Sequence, residues 1–195
     1  MAKPSIFVKI PRERIGVLIG PDGSVKETVG KRLSVSLQID SEAGDVTITQ
    51  NATEQDPTIL FRAREVVTAI GRGFSPERAF RLFEDEDTLL EVIDLREFVG
   101  RSLSDIKRLE GRVIGKGGKT RKIIEELSET CVSVYGYTIS IIGSADQIEV
   151  AREAISMLIR GSQHSTVYRF LHKKRRELKK KKLELWETPY EKLEK

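Results

Sequence analysis

The chain has 195 residues, of which 38% are hydrophobic and 33% charged. That is enough for one large or two small domains with real cores, and a single cysteine, Cys131, excludes a disulfide-stapled scaffold. The net charge of +4 is unevenly placed: residues 1–90 carry 12 Lys and Arg against 14 Asp and Glu, and residues 91–195 carry 22 against 16. A polyanionic partner is therefore to be sought in the second half. The lone cysteine, the lack of a charged-then-apolar leader and the lack of a membrane-length apolar run predict a cytoplasmic chain without membrane contact.

In chain order, Ser5 to Ile10 alternates as a strand. Residues 12–19 predict a short helix stopped by Gly20. Val25, Val29 and Leu33 fall at i, i+4 and i+8, one face of a second helix. Ser34–Asp40 alternates again, with Val35, Leu37 and Ile39 on one side. Ser41-Glu42-Ala43-Gly44 is turn chemistry, Asp45–Thr49 returns as a strand, and residues 57–70 form a helix. An insert follows, in which Ser75 and Pro76 predict a capped helix ending at the acidic turn Glu84–Asp87. The order then repeats: a strand over Glu91–Val99, a helix over Leu103–Ile114 and a second over Lys119–Glu129. Strands then bury Val132, Val134, Ile139 and Ile141 around a Tyr135-Gly136-Tyr137 turn, and a helix runs from Ala145 to Arg160. Residues 163–185 read as one more, basic, helix. This divides an α+β chain into a first module at 1–71, a helical and acidic linker at 72–90, a second module at 91–160 and a basic helix and tail at 161–195.

The repeat is marked by two glycine loops. Gly20-Pro21-Asp22-Gly23 aligns with Gly115-Lys116-Gly117-Gly118 at an offset of 95 residues, too long for a solenoid and right for tandem domains. Each β-α-α-β-β-α unit with Ile-Gly-x-x-Gly between its first two helices resembles the KH fold of RNA-binding proteins. The strand order is that of the type I (eukaryotic-type) family, with a three-stranded antiparallel sheet in each copy. The physics fits a phosphate grip: glycine lets a backbone approach closely, and the loop opens onto a helix N-terminus. Lys116 and Lys119 add charge, with Arg121 and Lys122 in the next turn. By the resemblance, the loop clamps about four nucleotides. The adjoining groove is walled by Val113 and Ile114 on one side and by Cys131, Val132 and Ser133 on the other. The first loop opposes phosphate, because Asp22 is anionic and Pro21 lacks an amide donor. Gly20, Pro21, Asp22, Gly23 and Lys26 are thus expected to bind RNA weakly or to serve docking.

Two other readings of the loop and its surroundings are weaker. Gly115–Thr120 resembles the end of a P-loop, but the glycine that a nucleotide-hydrolase motif needs is Val113 and a helix precedes it. His164 and His172 with one cysteine make no metal set, so no metal, cofactor or catalytic residue is expected. Residues 161–182 carry nine cations against Glu177 alone. Such density favours RNA through counterion release, which makes Arg169, Lys173, Lys174, Arg175 and Arg176 candidates. Trp186 and the last residues are read as a frayed end or partner contact.

Two KH modules, an acidic insert, the segment Gln163–Leu171 and a basic helix together resemble the archaeal counterpart of the partner-of-Nob-one family. That resemblance implies a non-catalytic factor that binds single-stranded precursor rRNA near the 3′ end of the small-subunit RNA. Its implied partners are a PIN-domain rRNA endonuclease and pre-ribosomal proteins. The alternatives are a general or exosome-associated single-strand RNA binder and, less favoured, the nucleotide hydrolase.

Overall fold

The computed structural model describes residues 3–51, 56 and 58–187; the side chains of 181, 182 and 184–187 lie outside that description. The expected contact at Trp186 and the tail beyond it are therefore outside the described residues.

The first module runs β1 (Ser5–Lys9), α1 (Arg12–Ile19), the glycine turn, α2 (Ser24–Leu33), β2 (Val35–Asp40), β3 (Asp45–Gln50) and α3 (Thr58–Gly71). Its antiparallel sheet has the order β1-β3-β2. Alternation sets the layers: Val35, Leu37, Val46 and Ile48 are buried, while Phe7, Ser36 and Gln38 face out. The helical spacing of Leu60, Ala63, Val67 and Ile70 buries one face of α3 against that sheet.

The second module repeats it with β4 (Leu89–Asp94), α6 (Leu103–Ile114), the second glycine turn, α7 (Lys119–Ser128), β5 (Cys131–Tyr135), β6 (Thr138–Gly143) and α8 (Ala145–Ile159). The sheet order is β4-β6-β5, and α8 opens with a capping box formed by Ser144 and Gln147. One expectation is corrected. The first strand does not reach Val99 but ends at Asp94, and Arg96–Val99 is a separate short helix, α5. Asp94 causes the break: its carboxylate accepts from the Arg96 amide at 2.9 Å, an Asx turn that diverts the backbone.

The segment read as a helical and acidic linker packs on the first module. It holds α4 (Pro76–Glu84), with Ala79 and Leu82 fully buried against α3. Ser75 has cap-like extended backbone, but its side chain makes no cap bond to the helix. The acidic turn is pinned by Arg62 of α3, which donates to the carbonyls of Leu82 (3.3 Å), Thr88 (2.6 Å) and Glu86. Helix α4 therefore stands to the first module as α9 (His164–Glu187) stands to the second, each packing back along its own module.

The first module closes the outer face of the second sheet. Cys131 and Ile142 belong to the first module's core cluster, Ser133 Oγ donates to the Arg72 carbonyl at 2.9 Å, and Arg81 Nη1 lies 3.0 Å from Cys131 Sγ. Arg78 of α4 pairs with Glu125 of α7 at 2.6 Å, and Glu125 also accepts from the Val132 amide. At the hairpin end, Arg14 sits 5.7 Å from the Tyr135 ring centre, Tyr135 donates to Glu13, and Tyr137 lies between Arg72 at 5.6 Å and Arg96 at 3.6 Å.

Burial and the bond to Glu13 push the Tyr135 hydroxyl up to about 12. The protonated form is thus favoured by folding, so its stabilisation is complete below the ordinary tyrosine value and is lost as pH rises from about 10 towards 12. Thermal unfolding followed between pH 9 and 12 should show Tm falling over that window, and the fall should be smaller in Tyr135→Phe. An equal fall in both proteins would remove Tyr135 from the interface's alkaline response.

Candidate nucleic-acid interface

The two glycine turns have the same backbone. Gly20 and Gly115 lie at φ/ψ 74/174 and 71/174, Asp22 and Gly117 at 51/25 and 60/25, and Gly23 and Gly118 at 79/9 and 76/11. Three positive-φ positions in four residues explain the glycines. Gly115 has a second reason: a Cβ there would collide with Thr120 Oγ1, as one on Gly20 would with Val25. Gly117 and Gly118 face open space. Asp22 shows that the third position of the turn tolerates a side chain, as Asx residues do in the left-handed region.

What surrounds the turns differs. Around the second, Arg108 and Arg112 of α6, Lys116 of the turn and Lys119 of α7 line a pocket of about 470 Å3 completed by His164 and Tyr168 of α9. Arg108 and Arg112, four apart, share one face of α6, and the turn at Gly115 brings Lys116 and Lys119 to the same pocket. Arg112 is anchored by bonds to the carbonyls of Leu158 (3.0 Å) and Ser162 (2.7 Å), and Tyr168 Oη meets Thr120 Oγ1 at 3.0 Å. His164 Nε2 contacts the Arg112 carbonyl at 3.0 Å. Helix α9 is thus held against the turn through Tyr168 and His164, the Arg112 guanidinium is committed to carbonyls at the end of α8 and before α9, and Arg108, Lys116 and Lys119 are exposed. The matching pocket of the first module is lined by Gly20, Pro21, Val25, Pro76 and Phe80 and holds no cation.

The predicted residues fall into five groups. Gly115, Lys116, Gly117, Gly118, Lys119, Arg121 and Lys122 are contiguous at the turn and the first turn of α7, with Lys116, Lys119 and Lys122 exposed. Val113 is fully buried in the core, so of the helix residues only the half-buried Ile114 borders the surface. Cys131, Val132 and Ser133 do not form an open wall. Val132 is core, and the other two side chains point at the first module, because strand alternation puts them on the covered face. The helix α9 cations are also split. Tyr168 and Arg175, seven apart, share the stripe that leads away from the turn, and the Nε atoms of both Arg121 and Arg175 are buried without a hydrogen-bond partner. Arg169 and Arg176 are exposed. Lys173 and Lys174 pair with Glu177, Lys174 at 2.8 Å, on another face. In the first module, Gly20, Pro21, Asp22, Gly23 and Lys26 form the corresponding turn, with Glu27 pairing Lys31 nearby at 2.6 Å. The residues that the sequence reading did not offer as part of this site are Arg108, Arg112, His164 and Tyr168, which belong to separate helices.

Comparison with known proteins agrees with this geometry. Residues 89–176 match the model described as eukaryotic type KH-domain (KH-domain type I), of the second PNO1 module, and residues 11–85 match the Krr1 KH1 domain. The KH domain-containing protein MJ0443 of Methanocaldococcus jannaschii is 47% identical over 180 residues, covering 92% of this chain and 78% of that one. The chain belongs to the PNO1 family of paired KH proteins. The pre-rRNA-processing protein pno1 of Schizosaccharomyces pombe is 26% identical over 168 residues, 86% of this chain and 70% of the relative. Among solved structures, the a/eIF2alpha–aDim2p–rRNA complex of Pyrococcus horikoshii contains a chain 48% identical, with TM-score 0.83 over 90% of this chain and 96% of that one. Both matched segments extend past the third helix of their module and take in α4 or the start of α9. The repeat unit of this PNO1-family chain thus includes that additional helix.

Proposed function

We propose that the protein binds single-stranded precursor rRNA near the 3′ end of the small-subunit RNA and acts, without catalysis of its own, in ribosome assembly in the cytoplasm. The observation that carries the reading is the contrast between two turns of one backbone, of which the second opens on a pocket lined by Arg108, Arg112, Lys116 and Lys119 and closed by His164 and Tyr168 of α9, while the matching pocket of the first has no Lys or Arg. Phosphates meet the free amides of the turn and the pocket's cations, and an unstacked base can lie on Tyr168 or His164. The relatives, a pre-rRNA-processing protein and a chain solved in complex with rRNA, support the choice of RNA. Family membership supports a role beside the PIN-domain endonuclease and pre-ribosomal proteins, with the RNA end presented to the nuclease.

The test is a titration of the full chain with a labelled single strand from the 3′ end of small-subunit rRNA and with a scrambled strand, at several salt concentrations. Tighter binding of the first is expected. Replacing Lys116 and Lys119 together by alanine should flatten the salt dependence by about 1.4 in the log–log slope, at about 0.7 per single-strand phosphate contact. Equal affinities for both strands at matched salt would leave only a general single-strand RNA binder. Phosphate release from ATP or GTP that is lost on Lys119→Ala would revive the hydrolase.

A further inference from the structure

The second module carries another concavity, of about 690 Å3, which shares no residue with the basic pocket. One wall is β4 and α5, the floor is the outward face of α8, and the far wall is a face of α9 bearing Phe170 and Leu178. β4 pairs with β6 along one edge only, and no backbone group of another described element bonds its other edge. Such an edge is a row of unused amides and carbonyls that can template a further strand. Two large apolar side chains beside it are left in water: Val92 is 39% and Phe98 49% exposed. The dimensions suit a strand, since the 15 residues of α8 span about 22 Å and six extended residues about 20 Å.

The charge of this concavity opposes that of its module. Six carboxylates line it against three cations. Two of the cations are already engaged, Arg152 with Glu91 at 3.7 Å and Lys174 with Glu177 at 2.8 Å. The half of the chain that carries the excess of Lys and Arg thus presents here a locally negative, partly apolar trough. RNA is repelled from it, and a basic segment is attracted.

We propose that this trough receives an extended lysine- or arginine-rich segment of a partner protein, which adds as a strand beside β4. Its backbone pairs with the open edge, its apolar side chains cover Val92 and Phe98, and its cations meet Glu97, Glu149 and Glu153. The protein would then hold RNA on one side of the second module and a basic polypeptide on another, so that each is bound without displacing the other.

The probe is a fluorescent nine-residue peptide alternating lysine and valine, titrated into the full, RNA-free chain by anisotropy. Controls are the glutamate–valine counterpart and the lysine peptide with proline at its central valine. Saturable binding of the lysine peptide alone is expected, with slowed amide exchange confined to β4. Glu97→Lys combined with Glu153→Lys, both at exposed positions, should weaken it by about tenfold or more. Phe98→Ala should weaken it several-fold. Lys116→Ala with Lys119→Ala should leave it unchanged, which separates this site from the RNA site. No saturable binding, equal binding of the proline or glutamate peptide, or indifference to the double charge reversal would each overturn the proposal.

Discussion

Replacing Lys116 by proline and Gly117 by aspartate should lower RNA affinity by about 100-fold, near 3 kcal/mol, while leaving the fold intact. The double change writes the first module's turn into the second. The backbone accepts it, because Gly20-Pro21-Asp22-Gly23 already runs through the same dihedral angles, and Gly117 has open space around it. What changes is chemistry: one ammonium and one amide donor are removed, and one carboxylate is placed where a phosphate would sit. Titration with the same labelled strand and a thermal melt measure both halves of the claim. Retained affinity would show that the turn is not the grip. A melt lowered by more than a few degrees would show that the two turns are not interchangeable. Gly115→Asp is a poorer test, because a Cβ at Gly115 meets Thr120 and confounds binding with folding.

Gly73→Val should cost about 2–4 kcal/mol and divide unfolding into two transitions. Gly73 lies at φ +94, and a Cβ there would come within 2.7 Å of Ser133 Oγ and 2.8 Å of Tyr135 Cβ, both in the second module. The left-handed backbone strains any β-branched residue, and the clash acts across the seam between modules. Calorimetry of the full chain is the measurement. The parent should melt in one step, because the second sheet's outer face is part of a shared core containing Cys131 and Ile142. A single, merely lowered transition in the variant would mean that the seam does not couple the modules.

The elements were legible in the sequence wherever one period dominated. The ends of α1 and α6 follow from Gly20 and Gly115, which open the Gly-x-x-Gly turns, and β2 and β3 follow from strict alternation. The first strand of the second module was over-extended because Ile93, Leu95 and Val99 are apolar in a way that fits either strand or turn, and the deciding Asx bond of Asp94 is a local side-chain event. The basic turn was readable because its chemistry is contiguous. Its pocket was not, since Arg108, Arg112, His164 and Tyr168 meet only when α9 folds back on α7. Nor could spacing say that Cys131 and Ser133 face another module, because alternation gives the side of a sheet and not what lies against it.

That covered sheet face bears on why a KH module with a proline and an aspartate in its turn is retained. Excised alone, the second module would expose Ile142, Cys131 and Leu90 as an apolar patch on the side that α4 and the end of α3 now shield, a surface prone to aggregation. Selection on the first module can therefore act through solubility and folding yield, with no demand that it touch nucleic acid. Its turn is free to lose phosphate affinity and its sheet to acquire other partners, while its helices must keep fitting their neighbour.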